Sequence, residues 1–219
     1  MSSVVPVAAG ESIAPMELSE VIRRRRMVRR YDPARPVPEE LVRACLASAL
    51  RAPSAGFSQG WDFLVLSDET DRDAFWTATA PAGPADGWLR GLATAPVLVL
   101  CLSDPEHYLD RYAEPDKGWT DRDPTRWPVP YWDVDTGMAA LLALLTAVDH
   151  GLGGCFFGVP PQRHTALREA FDIPGNRRFV GVVSLGYAVP HPRSPSLARG
   201  RRAVAEVVHW GRFGVHSPG

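Results

Sequence analysis

The sequence predicts a single α/β or α+β domain, and three observations support this fold class. With 219 residues, of which 45% are hydrophobic and 22% charged, the chain is long enough to bury one sizeable core. Short apolar runs of strand length alternate with longer runs of helical periodicity. No internal repeat interrupts this alternation, so we expect one core rather than an array of small units.

In the N-terminal half, apolar spacing and proline placement justify each element. Leu18, Val21 and Ile22 recur at helical spacing, and Pro38 suits the first turn of a helix. The apolar run Trp61–Ser67 is bounded by glycine and aspartate, as a strand often is. The predicted order is a flexible leader over residues 1–15, a helix from Glu17 into the arginine run, a helix from Pro38, that strand, a helix over Asp68–Thr79 and a loop over Pro81–Gly87.

The C-terminal half contains the most apolar segments. Pro96–Leu102 has the composition of a strand buried on both faces, and Asp133–His150 is apolar almost all round, as a core helix is. Between them, Ser103–Tyr131 has five prolines and little periodicity, and a loop that long inside a domain is usually functional or mobile. The remaining predictions are strands at Cys155–Phe157 and Phe179–Tyr187, a helix at Pro161–Phe171 and a basic tail with a strand-like piece at Val204–His209.

Composition argues against several classes of protein. The net charge of −1 disfavours a dedicated nucleic-acid binder. The three cysteines are odd in number and widely spaced, which fits neither a disulfide framework nor a zinc site. The longest apolar run, Met138–Val148, has eleven residues, whereas a membrane-spanning helix needs about 20. We therefore expect a cytoplasmic protein that binds no metal, nucleic acid or membrane.

Two segments concentrate positive charge. Only Lys117 is a lysine, so the other 23 basic residues are arginine, and most of them fit a bias in codon usage. Six nevertheless lie within Arg23–Arg30 and three within Arg199–Arg202. Like charges at this density repel one another unless an anion faces them, and the planar arginine side chain binds phosphate through a fork of donors. The alternative for both segments is a solvated surface.

Two further segments have the composition of backbone that approaches a ligand. Ala52–Trp61 is a turn of small residues and short hydroxyls, which lets backbone amides come close to a flat polar molecule. Gly151–Pro161 places glycines around two phenylalanines, an arrangement that suits packing against a planar ring. Each segment also has an ordinary structural explanation, the first as a helix-to-strand connection and the second as a helix cap before a buried strand.

Taken together, these four segments resemble, in order and spacing, the motifs of the nitroreductase family of FMN-dependent oxidoreductases. The first helix of that family ends Arg-Arg-Ser-x-Arg-x-Tyr/Phe, and Arg25–Tyr31 reads RRMVRRY. The next family motif, Ala-Pro-Ser-Ala-Gly-Asn-Ser-Gln-Pro-Trp, corresponds to APSAGFSQGW at Ala52–Trp61. Gly151–Cys155 matches Gly-Leu-Gly-x-Cys, and Arg199–Arg201 matches a late basic pair that precedes a strand. The resemblance covers nearly the whole chain.

The resemblance implies a fold, an assembly and a cofactor. The fold would be α+β, with a central mixed sheet surrounded by helices. Residues 16–219 would form one FMN-binding domain, in which 103–131 is a lid-like insertion and 188–219 a tail that embraces the partner of an intertwined homodimer. NADH or NADPH would reduce FMN, and reduced FMN would pass electrons to a nitroaromatic, a quinone or another electron-poor small molecule.

The resemblance also implies which residues bind the cofactor. Because the flavin supplies the chemistry, no catalytic side chain is expected. The phosphate, with a charge of roughly −1.5 to −2, would be neutralised by Arg25, Arg26, Arg29, Arg199 and Arg201. The residues implied to contact the rest of the cofactor are Met27 near the phosphate or ribityl chain, Ser54, Ala55, Gly56, Phe57, Ser58 and Gln59 along the pyrimidine and ribityl side, and Phe156, Phe157, Gly158 and Val159 near the reactive N5.

Three positions depart from the family motifs. Met27 replaces a serine, Gly60 replaces a proline, and Phe57 replaces an asparagine, which exchanges hydrogen-bonding capacity for an aromatic face. These departures leave two alternatives open. One is an oxygen-using oxidase or a flavin-consuming enzyme of the same superfamily, and the other is a flavin-binding, storage or sensing protein with little turnover. The aromatic residues of 103–131 would either select the acceptor or pack this segment onto its own domain.

Overall fold

The central sheet has four strands, and its two inner strands belong to the most apolar parts of the chain. In the computed structural model, residues 16–80 and 86–216 are described, and the predicted leader at 1–15 lies outside them. The sheet has the order β1-β2-β4-β3 with antiparallel neighbours throughout. Its strands are β1 (Trp61–Leu66), β2 (Val97–Ser103), β3 (Gly153–Phe157) and β4 (Arg178–Gly186). The only parallel pairing within the described residues is an isolated bridge between Met27 and Gly154.

Helices of the same compact unit cover both faces of this sheet, with α2 and α6 on one face and α3 and α7 on the other, which confirms the predicted α+β class. Eight α-helices are present among the described residues. Their bounds are α1 (Leu18–Arg24), α2 (Glu39–Ala49), α3 (Glu69–Thr79), α4 (Gly87–Leu92), α5 (Pro105–Tyr112), α6 (Tyr131–Asp149), α7 (His164–Ala170) and α8 (Val204–Val207).

Strand β2 shows why the core has two halves. Every residue of β2 is buried, and successive side chains of a strand point to opposite faces. Val97, Val99 and Cys101 pack in a cluster with α2 and α6, whereas Leu98 and Leu100 pack in a second cluster with α3 and α7. A continuous apolar run is therefore the expected sequence of a strand covered on both sides.

Helix α6 is the central helix of the first cluster. Its length and hydropathy are those of a helix that could cross a membrane, but Ala139, Ala143 and Ala147 are buried against the sheet and α2. Small residues at this spacing let the two helices approach closely. We therefore interpret α6 as a core helix. One residue of this apolar helix is a fully buried carboxylate, Asp135.

The sequence-based prediction missed two helices and was wrong about one strand. Helices α4 and α5 have only 6 and 8 residues; the side chain of Asp86 caps α4, and that of Asp104 caps α5 ahead of Pro105. Carboxylates at these positions satisfy amides that a helix leaves unpaired. The predicted strand at Val204–His209 is instead the short helix α8, because Glu206 accepts a hydrogen bond from the backbone N–H of Ala203.

The chain divides into two compact units, residues 16–189 and residues 190–216. The second unit contains a 3-10 turn at Pro195–Arg199 and helix α8. Its chain folds back where Trp210 N–H donates to the carbonyl of Val215 at 2.7 Å. Large apolar side chains are exposed along it, with Phe213 91% exposed.

Candidate functional site

The arginine segment lies alongside β3, so two of the four predicted motifs are in direct contact. After α1 ends, Met27 forms the parallel bridge with Gly154, and Val28 N–H donates to the Gly154 carbonyl at 2.9 Å. Gly154 and its neighbour Gly153 face side chains so closely that a Cβ on either would collide with Leu144 or Val28. Gly153 and Gly154 therefore allow close packing between the core helix, the sheet and the arginine segment.

Met27 occupies its unusual position by making contacts that a serine could not make. Its sulfur accepts a hydrogen bond from Phe156 N–H at 3.5 Å, and its side chain packs against both halves of the core. A thioether is long and adaptable enough to fill such a junction. In this chain, Met27 thus supports the backbone that carries the neighbouring arginines.

The arginines of this segment fall into two groups. Arg23 and Arg24 pair with Glu20, and the two hydrogen bonds lower the pKa of Glu20 to about 2. Arg25 is partly buried, and its Nη1 is enclosed without a hydrogen-bond partner among the described residues. Burying a cationic donor unpaired is unfavourable, so Arg25 is the residue of this segment that an anion would stabilise most.

Arg29 lies on the side of the segment that faces the sheet. It is partly buried, and its positive charge opposes the effect of burial, which raises the pKa of the Cys155 thiol. Its backbone is fixed by α4, because a Cβ on Gly91 would collide with the Arg29 carbonyl. Arg26 is exposed.

A cavity of about 370 Å³ opens at the carboxyl end of β3. Of the four residues predicted to lie near the flavin N5, three line this cavity, namely Phe157, Gly158 and Val159. Its remaining lining residues are Phe75, Trp76, Thr79, Asp86, Trp88, Leu89, Pro160 and Arg163. The fourth predicted residue, Phe156, points to the opposite face of β3, where its ring fills the space left by Gly181.

The walls of this cavity are mainly apolar, and four of the eleven lining residues are aromatic. The Trp76 and Phe157 rings are nearly parallel with centroids 6.0 Å apart, and Trp88 meets Phe157 edge-on at the same distance. The indole N–H of Trp76 is buried without a partner among the described residues. A flat molecule with an acceptor atom at its edge would complement these walls.

The turn at Ser54–Gln59 has most of its polar groups bonded within the protein. Ser54 Oγ accepts from Gln59 N–H at 3.1 Å, and Ser58 Oγ donates to the Ala55 carbonyl at 2.7 Å. Ala55 N–H donates to Asp135 Oδ2 at 2.8 Å. The turn thus adopts a defined shape through bonds that are internal or directed to α6.

The backbone of this turn is strained at two residues that are not glycine. Phe57 has φ of 58° and Gln59 has φ of 52°, next to Gly56 at 62°. An aromatic residue rarely adopts the left-handed conformation, which asparagine tolerates better. The Phe57 side chain is also 75% exposed, so the asparagine of the family motif is replaced by an aromatic ring that faces outward.

The third departure, Gly60, has a steric explanation. A Cβ at Gly60 would lie 2.6 Å from the ring of Tyr108 and 2.7 Å from the Asp104 carbonyl. Tyr108 therefore occupies space that a proline at position 60 would need. The glycine at position 60 therefore allows α5 to pack closely against the end of the turn.

The aromatic residues of 103–131 pack against one another. Trp127 lies at the centre, in contact with Tyr108, Tyr112, Trp119, Tyr131 and Trp132 at centroid distances of 4.6–5.9 Å. Of these rings, Tyr131 is among the large hydrophobic side chains that remain exposed. Packing of this segment onto its own unit is therefore observed, whereas a role in acceptor selection stays a prediction.

The predicted site residues thus belong to three groups in the structure. The arginine segment bonds to β3 at Gly154, and the Phe157–Val159 backbone is the end of the same strand and the residues that follow it. The Ser54–Gln59 turn contacts α5 and α6. Arg199 and Arg201 are exposed in the second unit. Sequence reasoning missed the aromatic cavity walls and Asp135; for Asp135 a signal existed, because it is one of few charges in an apolar helix.

Comparison with known proteins assigns these features to one family. Residues 22–187 match the nitroreductase family. The chain belongs to the nitroreductase family. Membership places it among oxidoreductases and agrees with the motifs that the sequence presents.

Individual relatives cover most of this chain. A protein of Archaeoglobus fulgidus, provisionally named an NADH dehydrogenase/NAD(P)H nitroreductase, is 31% identical over 173 residues, which are 78% of this chain and 85% of that protein. An NADH dehydrogenase of Thermus thermophilus is 29% identical over 206 residues, 85% of this chain and 92% of its own. A crystal structure from Clostridium acetobutylicum, provisionally titled an NADH oxidase, has a TM-score of 0.65 at 26% identity and covers 88% of this chain and 99% of its own.

Proposed function

We propose that this nitroreductase-family chain is an FMN-dependent oxidoreductase that uses NADH or NADPH to reduce an electron-poor small molecule. The observation that carries the proposal is the enclosed, unpartnered Nη1 of Arg25 in a segment bonded to β3, whose carboxyl end borders the aromatic cavity. A cation that lacks a partner in the segment beside β3, and an apolar cavity with aromatic walls at the end of that strand, are the two environments that the phosphate and the ring of a flavin nucleotide need.

The residues present fit FMN. Arg25 and Arg29 are partly buried, and Arg26 is exposed beside them, so three cations are available for a phosphate of roughly −1.5 to −2 charge. Arg199 and Arg201 would add two more from the tail. The charge of Arg23 and Arg24 is already matched by Glu20, which makes those two residues poor candidates.

When bound, FMN would supply the hydride transfer chemistry, and the protein would supply position and a dry environment. The backbone at Phe157–Val159 would border the ring, and Trp76 and Trp88 would exclude water from it. The turn at Ser54–Gln59 would hold the pyrimidine and ribityl side. No side chain of the chain is required to donate or accept a proton.

We also propose that the functional unit is a homodimer in the cytoplasm. The tail exposes Val204, Trp210 and Phe213, and exposed apolar side chains in such number favour a partner surface. The turn and the arginine segment contact different elements of the chain, so a second copy could supply one half of each site. The three cysteines are free and buried, as is usual in a reducing compartment.

Oxygen is a second candidate acceptor, because the name of the Clostridium acetobutylicum structure is that of an oxidase. Both candidates require the same cofactor and differ only in what receives the electrons. The two are distinguished by comparing turnover with a quinone or nitroaromatic under nitrogen and turnover with oxygen alone.

The decisive experiment is a flavin spectrum of the purified protein, followed by anaerobic addition of each nicotinamide. We expect a yellow protein that releases FMN on denaturation and is bleached by NADH or NADPH. A protein that is colourless and takes up no FMN would refute the cofactor assignment. A flavin that neither nicotinamide bleaches would refute the reductase and leave the flavin-storage alternative.

A further inference from the structure

One buried carboxylate oxygen joins the flavin-binding turn to two helices. Asp135 is 1% exposed within α6, and its Oδ2 accepts from Ala55 N–H at 2.8 Å and from the Tyr108 hydroxyl at 2.9 Å. A buried carboxylate is unfavourable unless it is hydrogen-bonded, and both of these donors are directed at the same atom. The turn, α5 and α6 therefore meet at Asp135.

Tyr108 can pack here because residue 60 is glycine, where the family motif has proline. Its ring occupies the space left by Gly60, and a backbone hydrogen bond from Gly60 opposes the rise in the pKa of its hydroxyl that burial and Asp135 cause. A proline at position 60 would have no N–H to make that bond. The pair formed by Tyr108 and Asp135 is thus matched to this chain's own turn.

The turn needs such support because its conformation is unfavourable in isolation. Phe57 and Gln59 both have positive φ, and strain of this kind persists only where the surroundings fix the backbone. Arg111 of α5 adds a second connection, since its Nε donates to the Gly56 carbonyl at 2.9 Å. Helix α5 therefore contacts the turn directly at Gly56, through Arg111 and the ring of Tyr112, and indirectly through the bond of Tyr108 to Asp135.

We propose that Tyr108 and Asp135 are positioning residues that hold the Ser54–Gln59 turn in the shape that binds the flavin. This inference rests on the proposed function, because it assigns the turn a role in binding FMN. It makes α5, which was not recognisable in the sequence, part of the support of the site. Neither residue needs to touch the cofactor.

The test compares FMN affinity of apo-protein reconstituted with FMN for the wild type, Tyr108→Phe and Asp135→Asn. Tyr108→Phe removes the hydrogen bond from α5 to Asp135, and Asp135→Asn weakens the acceptor of both bonds, so we expect FMN to bind about tenfold more weakly in each. The double variant should lose little more than the stronger single variant, because both changes break one connection. The matched control is Thr136→Val, which removes the buried Thr136 hydroxyl that donates to the Trp132 carbonyl at 2.7 Å in the same helix; its FMN affinity should stay within about twofold.

A second readout needs no cofactor. Amide hydrogen exchange of Ala55 in the apo-protein should accelerate at least about tenfold in Tyr108→Phe, while exchange in β2 is unchanged. Unchanged FMN affinity together with unchanged Ala55 exchange in Tyr108→Phe would overturn the inference. A wild type that binds no FMN would refute the proposed function instead, and faster Ala55 exchange would still support the positioning role.

Discussion

The arginine segment at Arg25–Arg29 and the turn at Ser54–Gln59 differ in how far their polar groups are satisfied within the chain. In the turn, Ser54, Ser58 and Ala55 all have bonding partners in the turn or in α6. In the arginine segment, the enclosed Nη1 of Arg25 has none among the described residues. The difference indicates that the turn is shaped by bonds within the chain, whereas the side chain of Arg25 still has a donor that an anion would satisfy.

The largest expected effect comes from removing the cations on the unsatisfied side. In Arg25→Ala/Arg29→Ala, we expect FMN to bind at least about 100-fold more weakly, because hydrogen bonds to charged groups contribute about 1.5–3 kcal/mol each. Titration of apo-protein with FMN, followed by flavin fluorescence, measures the change. The fold should persist, since both side chains are only partly buried.

The matched control for this double variant is Arg23→Ala, in the same run of arginines. Arg23 is paired with Glu20 and exposed, so its loss should change FMN affinity by less than about threefold. Equal loss of affinity in the control and the double variant would show that net charge, rather than the particular arginines, binds the phosphate.

The next effect tests whether α4 fixes the arginine segment. A Cβ at Gly91 would collide with the Arg29 carbonyl, and overpacking of this kind costs about 1–3 kcal/mol. We therefore expect Gly91→Ala to lower the free energy of unfolding in urea by that amount. In the control Gly87→Ala, at the start of the same helix, the nearest atom is 3.9 Å from the new Cβ, and stability should be unchanged or slightly higher. Equal stability of the two variants would contradict this account of α4.

Most of the fold could be predicted because apolar periodicity determines it. The buried run of β2 and the apolar helix α6 were recognisable, since both lie between layers and need no polar alternation. Helices α4 and α5 were not, because their stability comes from caps at Asp86 and Asp104 and from packing on residues distant in sequence. Each has at most eight residues, so its apolar pattern is too short to stand out among the prolines and charges around it.

The candidate site was predictable only where a motif carries it. The arginine segment and β3 each carry a family motif, and these two motifs, although far apart in sequence, are in contact in the structure. The aromatic cavity walls, such as Trp76 and Trp88, come from α3 and α4 and form no pattern along the chain. The pairing of Tyr108 with Asp135 joins residues 27 positions apart, and only the folded structure shows that they meet.

The buried thiols of Cys45 and Cys155 differ in how strongly their surroundings raise the thiol pKa, which affects stability at alkaline pH. Burial raises the pKa of Cys45, which packs in the core cluster with Ala52 and Trp61, from 9.0 to about 12. Cys155, beside the arginine segment, is also raised by burial, but Arg29 opposes the shift. A thiol whose folded pKa is raised stabilises the protein fully below pH 9, and this contribution is lost as the pH rises from 9 to 12.

We therefore expect Cys45 alone to make the free energy of unfolding in urea about 1–2 kcal/mol lower at pH 10.5 than at pH 8. Cys45→Ala should reduce this pH dependence more than Cys155→Ala does, because no cation opposes the shift of Cys45. The measurement is the urea midpoint of each variant at both pH values. A larger reduction in Cys155→Ala would mean that Arg29 does not influence its neighbouring thiol.

The smallest expected effect concerns Phe57, where the turn departs most from the family motif. Asparagine tolerates positive φ better than phenylalanine does, and the exposed Phe57 ring contributes little packing, so Phe57→Asn should stabilise the protein by about 0.5–1 kcal/mol. Thermal unfolding of the apo-protein measures this directly. Phe57→Leu is the control, since it keeps an apolar side chain in the same strained backbone and should bring no gain. If Phe57→Asn is less stable than the wild type, the aromatic ring must have a contact, such as a second copy of the chain, that outweighs its backbone strain.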